Sequence, residues 1–208
     1  MEGILMNIVS IDFDIIMSPC INLYADRVTE EEENSTRIWN MLEDRLEIDK
    51  FLSYDAKILT DIAWLIGKAK AAGKSVFILD SEKEIVDRII PTIDNKECTL
   101  THIDFFADAG TEQNKEGFDF DKYTASSWIG YLACKYGDKL PIRWLKAGNS
   151  QRVPLPATVG VLPVFDIRRI FEDIDGQVDA IFLCKNDTYV PYKYEHLFRL
   201  LEIIGGNL

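Results

Sequence analysis

The chain has 208 residues, 47% hydrophobic and 28% charged, enough for one ordinary domain with a sizeable core, and this mixture excludes a disordered, collagen-like or coiled-coil protein. Acidic residues outnumber basic ones 35 to 23, and the resulting net charge of -12 repels a phosphate backbone, which argues against nucleic acid as a partner and suits either simple solubility or a basic protein partner. No apolar run approaches the ~20 residues of a membrane span, and no cationic segment leads into a long apolar stretch at the N-terminus, so a cytoplasmic protein is expected. Cys20, Cys98, Cys134 and Cys184 form no Cys-x-x-Cys pair and sit in apolar runs, as free buried thiols of a reducing compartment do.

The first apolar, β-branched run, Leu5 to Ile11, predicts a buried strand that stops at Asp12. The acidic stretch Val28 to Asn34 reads as solvated, and Thr36 to Leu46 and Ala56 to Ala72 carry apolar residues at helical spacing, with Gly73 closing the second helix. Ser75 to Leu79 predicts the next strand, Asp80-Ser81 a cap, and Glu82 to Ile90 a helix ended by Pro91. Cys98 to Ile103 reads as a third strand, again stopping at an aspartate, and a long polar loop from Ala109 to Lys122 follows. Thr124 to Tyr136 predicts an amphipathic helix for which Thr124, Ser126 and Ser127 are suitable caps, and Ile142 to Leu145 a strand. Beyond a loop containing Pro154 and Pro156 come a strand over Val159 to Val164 and a short helix over Asp166 to Glu172. Ala180 to Cys184 reads as a strong strand and Lys193 to Ile204 as the last helix.

Strands that are continuous apolar runs and alternate with helices call for a mostly parallel sheet covered on both faces, a three-layer α/β/α domain spanning 1–208. Ligands of such sheets bind beyond the C-terminal strand ends, where Asp12, Asp80 to Glu82 and Asp104 fall. Strand alternation puts the carboxylates of Asp12 and Asp14 on one side with Phe13 packed away, although the same pair could instead cap the following loop. A turn after Asp104 can return Asp108 toward it. Four converging carboxylates repel unless protonated or neutralised by a hard cation such as Mn²⁺, Mg²⁺ or Ca²⁺. His102, two residues before Asp104, is expected to be hydrogen-bonded in the core or behind the site, and His196 to be structural. Candidate substrate contacts are Ser81, Trp128 at the helix start, Asn149, and Tyr189 in the Tyr-Val-Pro-Tyr segment after the last strand.

The segments SIDFDIIMSPCINLYAD, DSEKEIV, HIDFFAD, YTASSWIGYL and CKNDTYVPYKYEHLFRLLE resemble the peptide-arginase-like proteins of bacteria and phages, of the arginase/deacetylase fold. The resemblance implies a binuclear manganese site at the strand ends and hydrolysis of guanidino or amide groups by metal-activated water. Asp12 and Asp14 match its paired-aspartate motif, and Asp104 and Asp108 the outer positions of Asp-x-His-x-Asp. Phe106 stands where the middle histidine belongs, and Glu82 where a histidine follows the second strand. The resemblance therefore implies either a one-metal, all-carboxylate site including Glu82 or an empty relic. In both cases a catalytically impaired or inactive protein of bacterial or phage origin that binds a protein or small ligand is the first expectation, and a Mn- or Mg-dependent hydrolase of a small-molecule or peptide substrate the second. The same residues also resemble a haloacid dehalogenase-like phosphatase, with Asp12 as nucleophile, Asp14 as general acid, Ser81 as phosphate ligand, and Asp104 and Asp108 on magnesium. Against it, Ile15-Ile16-Met17 replaces the usual continuation, and no lysine is well placed between Ser81 and Asp104.

Overall fold

The computed structural model describes residues 5–17, 53–80, 82–104, 107–108, 127–146, 155–163, 167–172, 178–185, 190 and 192–206. The expected helix over Thr36 to Leu46, the acidic stretch before it and the loop from Ala109 to Lys122 lie outside these residues, as do Ser81, Phe106, Asn149 and Tyr189.

Among the described residues six strands form one sheet: β1 (Met6–Asp12), β2 (Ser75–Leu79), β3 (Cys98–Asp104), β4 (Ile142–Lys146), β5 (Val159–Pro163) and β6 (Ala180–Cys184). Every pairing is parallel and the spatial order is β2-β6-β1-β3-β4-β5. The helices are α1 (Ala56–Ala71), α2 (Glu82–Ile93), α3 (Trp128–Tyr136), α4 (Ile167–Ile170) and α5 (Glu195–Gly205).

Both sheet faces are covered because the strands are apolar on both. Val9, Ile11, Ile103, Leu145, Ile181 and Leu183 pack against α1, α4 and α5. The alternate residues Ile8, Leu100, Ile142, Trp144, Phe182 and Cys184 pack against α2 and α3. This is the three-layer α/β/α arrangement. No described helix is long and apolar enough to cross a membrane.

Local chemistry sets the helix ends. Asp55 caps α1, its side chain accepting from the backbone N–H groups of Lys57 and Ile58 at 2.8 and 3.0 Å. At the other end Gly73 adopts φ +71°, and the N–H groups of Gly73 and Lys74 donate to the carbonyls of Lys70 and Ala69. These paired bonds close the helix around a glycine in the left-handed region. Asp55→Ala is expected to cost about 1 kcal/mol, read as a lower midpoint with unchanged slope in urea unfolding.

Helix α2 runs through Pro91 to Ile93, where a stop before the proline was expected. Proline removes one N–H and clashes with the preceding turn, but here it sits near the helix end on an exposed position. Ile93 keeps the final turn docked in the same cluster as Ile85, Val86 and Ile89. The Asn95 side-chain amide donates to the Pro91 carbonyl at 2.7 Å.

Glu195 opens α5, which a short 3-10 turn (Tyr192–Tyr194) precedes. Its carboxylate accepts from Lys185 Nζ at 3.5 Å and Arg199 Nη2 at 3.2 Å. Burial alone pushes this carboxyl up, yet Arg199 and Lys185 outweigh it and hold the group below its ordinary value of 4.5. A depressed folded value means the contribution is present above the unfolded pKa and disappears as pH falls through the folded one. Glu195→Gln should therefore cost about 0.5 kcal/mol near neutrality. Its unfolding curve should merge with that of the wild type in acid below the normal glutamate range.

Candidate metal centre

The centre lies at the C-terminal ends of β1 and β3, neighbours in the sheet, with Ile11 beside Ile103 in register. The chain leaving β1 reaches β2 through α1 on one face, and the chain leaving β3 reaches β4 past α3 on the other. A cleft outside the strand ends at such a divergence is where parallel sheets hold ligands.

Ser10 and Asp12 of β1 and His102 and Asp104 of β3 share positions on the α3 side of the sheet, and all four are buried. The strand alternation expected to align Asp12 with Asp14 is not what joins them. The strand ends at Asp12, and Phe13–Ile16 form a 3-10 turn that Asp12 caps, its Oδ1 accepting from the Asp14 N–H at 3.3 Å. The turn curls Asp14 back over the strand end while Phe13 packs edge-on to Phe198, 5.2 Å between centroids. Both sequence readings of the pair thus hold in part: Asp12 caps, and the two carboxylates still meet.

The acidic residues converge as two overlapping trios that share Asp104. One ligand-capable atom from each of Asp12, Asp14 and Asp104 lies within 4.8 Å of the others, and the same holds for His102, Asp104 and Asp108. His102 Nε2 stands 3.0 Å from Asp104 Oδ2 and 3.4 Å from Asp108 Oδ2, and its Nδ1 is 3.0 Å from Ser10 Oγ. Its ring meets Trp128 edge-on at 5.1 Å. The expectation of a buried, hydrogen-bonded histidine matches this geometry.

Asp108 holds its place through three contacts. Its carbonyl accepts from the N–H groups of Ile129 and Gly130 at 3.0 and 3.3 Å, its Oδ2 accepts from Trp128 Nε1 at 2.8 Å, and its own φ is +46°. A left-handed backbone is tolerable for aspartate, and it aims the carbonyl at the helix start. Ser127, expected as a cap, makes no side-chain capping bond, and Asp108 fills that role. Trp128, expected to touch substrate, is fully buried and supports Asp108 instead. Trp144 acts similarly, donating from Nε1 to the Asp104 carbonyl at 3.1 Å. Neither tryptophan's supporting role was visible in sequence, since only the fold brings them to the aspartates.

Glu82 opens α2 beyond β2, and β6 lies between β2 and β1. At about 4.8 Å per strand, the end of β2 stands roughly 10 Å from that of β1. Lys146 pairs with Asp104 in register, and its ammonium lies over the Trp144 ring, 5.7 Å from the centroid.

The electrostatic cost of the first trio is large. Two unit charges 4.8 Å apart repel by about 3 kcal/mol at an effective dielectric near 20. Three such pairs approach about 10 kcal/mol, comparable with the ~5–15 kcal/mol that stabilises a whole domain. Ionised together, these groups repel one another strongly, and three hard oxygen donors are a set that can hold Mn²⁺ or Mg²⁺. No family model matches the chain, nor does any curated protein or solved structure.

Proposed function

We propose that the chain is a divergent arginase-like protein that binds Mn²⁺ or Mg²⁺ through Asp12, Asp14 and Asp104 and acts by binding a small ligand or a protein rather than by hydrolysis. The observation that carries the reading is the meeting of three buried carboxylates, from two adjacent strand ends, within 4.8 Å. Hydrolysis by metal-activated water needs a second ion or a base beside the first. The chain has two histidines. His102 is engaged at both ring nitrogens, and His196 lies on α5 with Nδ1 at 2.7 Å from the Lys193 carbonyl. The excess of acidic residues suits a basic surface on a protein partner. The free thiols Cys98, Cys134 and Cys184 suit the cytoplasm.

A second reading, a metal-dependent hydrolase of C–N bonds in guanidino or amide substrates, is favoured by the His102, Asp104 and Asp108 trio, which offers a second cluster of donors. The phosphatase reading is weakened by the sequence, in which Ile15-Ile16-Met17 replaces the usual continuation after Asp14.

Calorimetric titration with Mn²⁺ and with Mg²⁺ tests the proposal: saturable binding is expected, lost in Asp12→Asn. The Mn²⁺-loaded protein should release no urea or ammonia from arginine-containing peptides. Release that disappears in Asp104→Asn would replace the binding reading with the hydrolase.

A further inference from the structure

We propose that the outward face of α5 docks against the same face of a second copy of this chain, the two helices lying antiparallel about a two-fold axis; this stands apart from the cation reading above. Leu197, Phe198, Leu201 and Gly205 form the inner side of the helix and are buried. His196, Arg199, Leu200 and Ile203, at spacings of three and four, form the opposite stripe and are exposed. A surface helix ordinarily keeps that side polar, yet Leu200 is 46% exposed and Ile203 57%, one turn apart. Tyr192, in the 3-10 turn that leads into the helix, is 63% exposed. Tyr54, also exposed, stands edge-on to Tyr194 at 5.9 Å and widens the patch. A helix apolar on both sides belongs between two layers, and the sheet supplies one of them.

Charge points to what forms the second layer. A chain of net charge -12 repels its own copies, so two of them can meet only where the charges match each other. The outward face of α5 carries the exposed Arg199 and, three residues on, Glu202. In an antiparallel pair the two-fold axis sets Arg199 of each helix by Glu202 of the other and Leu200 of each by Ile203 of the other, so each contact forms twice. That is the self-matching an isologous interface requires. A foreign surface of one sign would find an arginine and a glutamate side by side, with no net field to match. Arg199 already donates to Glu195 of its own helix at 3.2 Å, and its guanidinium has further donors to spare. The antiparallel arrangement also opposes the two helix dipoles, and Gly206, exposed at φ +76° and lacking a side chain, leaves room for the first turn of the other helix. Two helices of 11 residues form an interface at the low end of specific ones, below about 1,200 Å² in total, so the dimer is reversible, with a dissociation constant of about 10–100 µM.

The test is sedimentation equilibrium of the whole chain in chelator, over concentrations that bracket this range. The wild type should pass from monomer to dimer, and Leu200→Glu and Ile203→Glu should each weaken the association by about tenfold or more. Arg199→Glu and Glu202→Arg should each weaken it by about tenfold, since each sets like charges together twice, and the double variant should recover the wild-type constant. Recovery by the swapped pair arises only between copies that carry both changes, which separates self-association from docking of another protein. Val161→Glu, on the exposed apolar edge strand β5, should leave the association unchanged. Melting temperatures close to that of the wild type identify the variants that fold, and if Leu200→Glu does not, the charge pair decides. A wild type that stays monomeric throughout, a dimer that Val161→Glu breaks and Leu200→Glu spares, or a double charge variant that recovers nothing overturns the proposal.

Discussion

Saturating Mn²⁺ is expected to raise the melting temperature of the wild-type chain by several degrees and to leave that of Asp104→Asn unchanged. Binding to the folded state alone stabilises by mass action, about 2.7 kcal/mol at a hundred times the dissociation constant. For a chain of this size each kcal/mol moves the midpoint by about 2–4 °C, so a shift of about 5–10 °C is expected. Asp104 is the most informative position because it belongs to both trios and is fully buried. In chelator the ranking should reverse. Removing one of three crowded carboxylates relieves repulsion, so Asp104→Asn should melt at or above the wild type when no cation is present. Scanning fluorimetry with and without EDTA reads both effects. A wild type indifferent to Mn²⁺, or an Asp104→Asn variant that responds as strongly, contradicts a cation site centred on this residue.

Trp128→Ala is expected to lose about 3–5 kcal/mol of stability. The side chain is fully buried in the cluster under α2 and α3, its ring braces His102, and its N–H holds Asp108. Truncation opens a cavity and removes the donor from a carboxylate that caps α3 through its backbone. Trp128→Phe keeps most of the volume and removes the hydrogen bond, so it should cost less, about 1–3 kcal/mol. Urea unfolding of both variants separates packing from hydrogen bonding. If Trp128→Ala unfolds like the wild type, the indole is no part of the frame that holds Asp108, and a role in contacting ligand returns.

Much of the architecture was legible because the strands are continuous apolar runs. Ser75–Leu79 and Ala180–Cys184 stand where the sequence put them, β1 is shifted by one residue at each end, and β3 runs one residue further. The parallel, doubly covered sheet follows from that pattern. Less legible was what happens at Asp12. A period of two assumes that the strand continues, whereas a carboxylate able to cap its own successor ends it, and a tight turn then brings Asp14 back. The pairing of His102 with Asp104 was readable, since alternate strand residues share a face. Pro91 misled because the helix continues only two residues beyond it, and Ile93 anchors that end. The order of strands is written in no local pattern. Nothing in the chain between β1 and β2 announces that β6 will separate them.

The same insertion makes assembly late. β6 joins β1 by pairing Ile8 with Ala180 and also carries β2, so β2 stays disconnected from β1, β3, β4 and β5 until residue 184 has been made. Until then β1 exposes an unsatisfied edge, and such long-range pairing makes for slow closure. A nascent chain stalled before residue 180 should be conspicuously sensitive to protease, and one extended past residue 205 abruptly resistant, rather than gaining protection step by step.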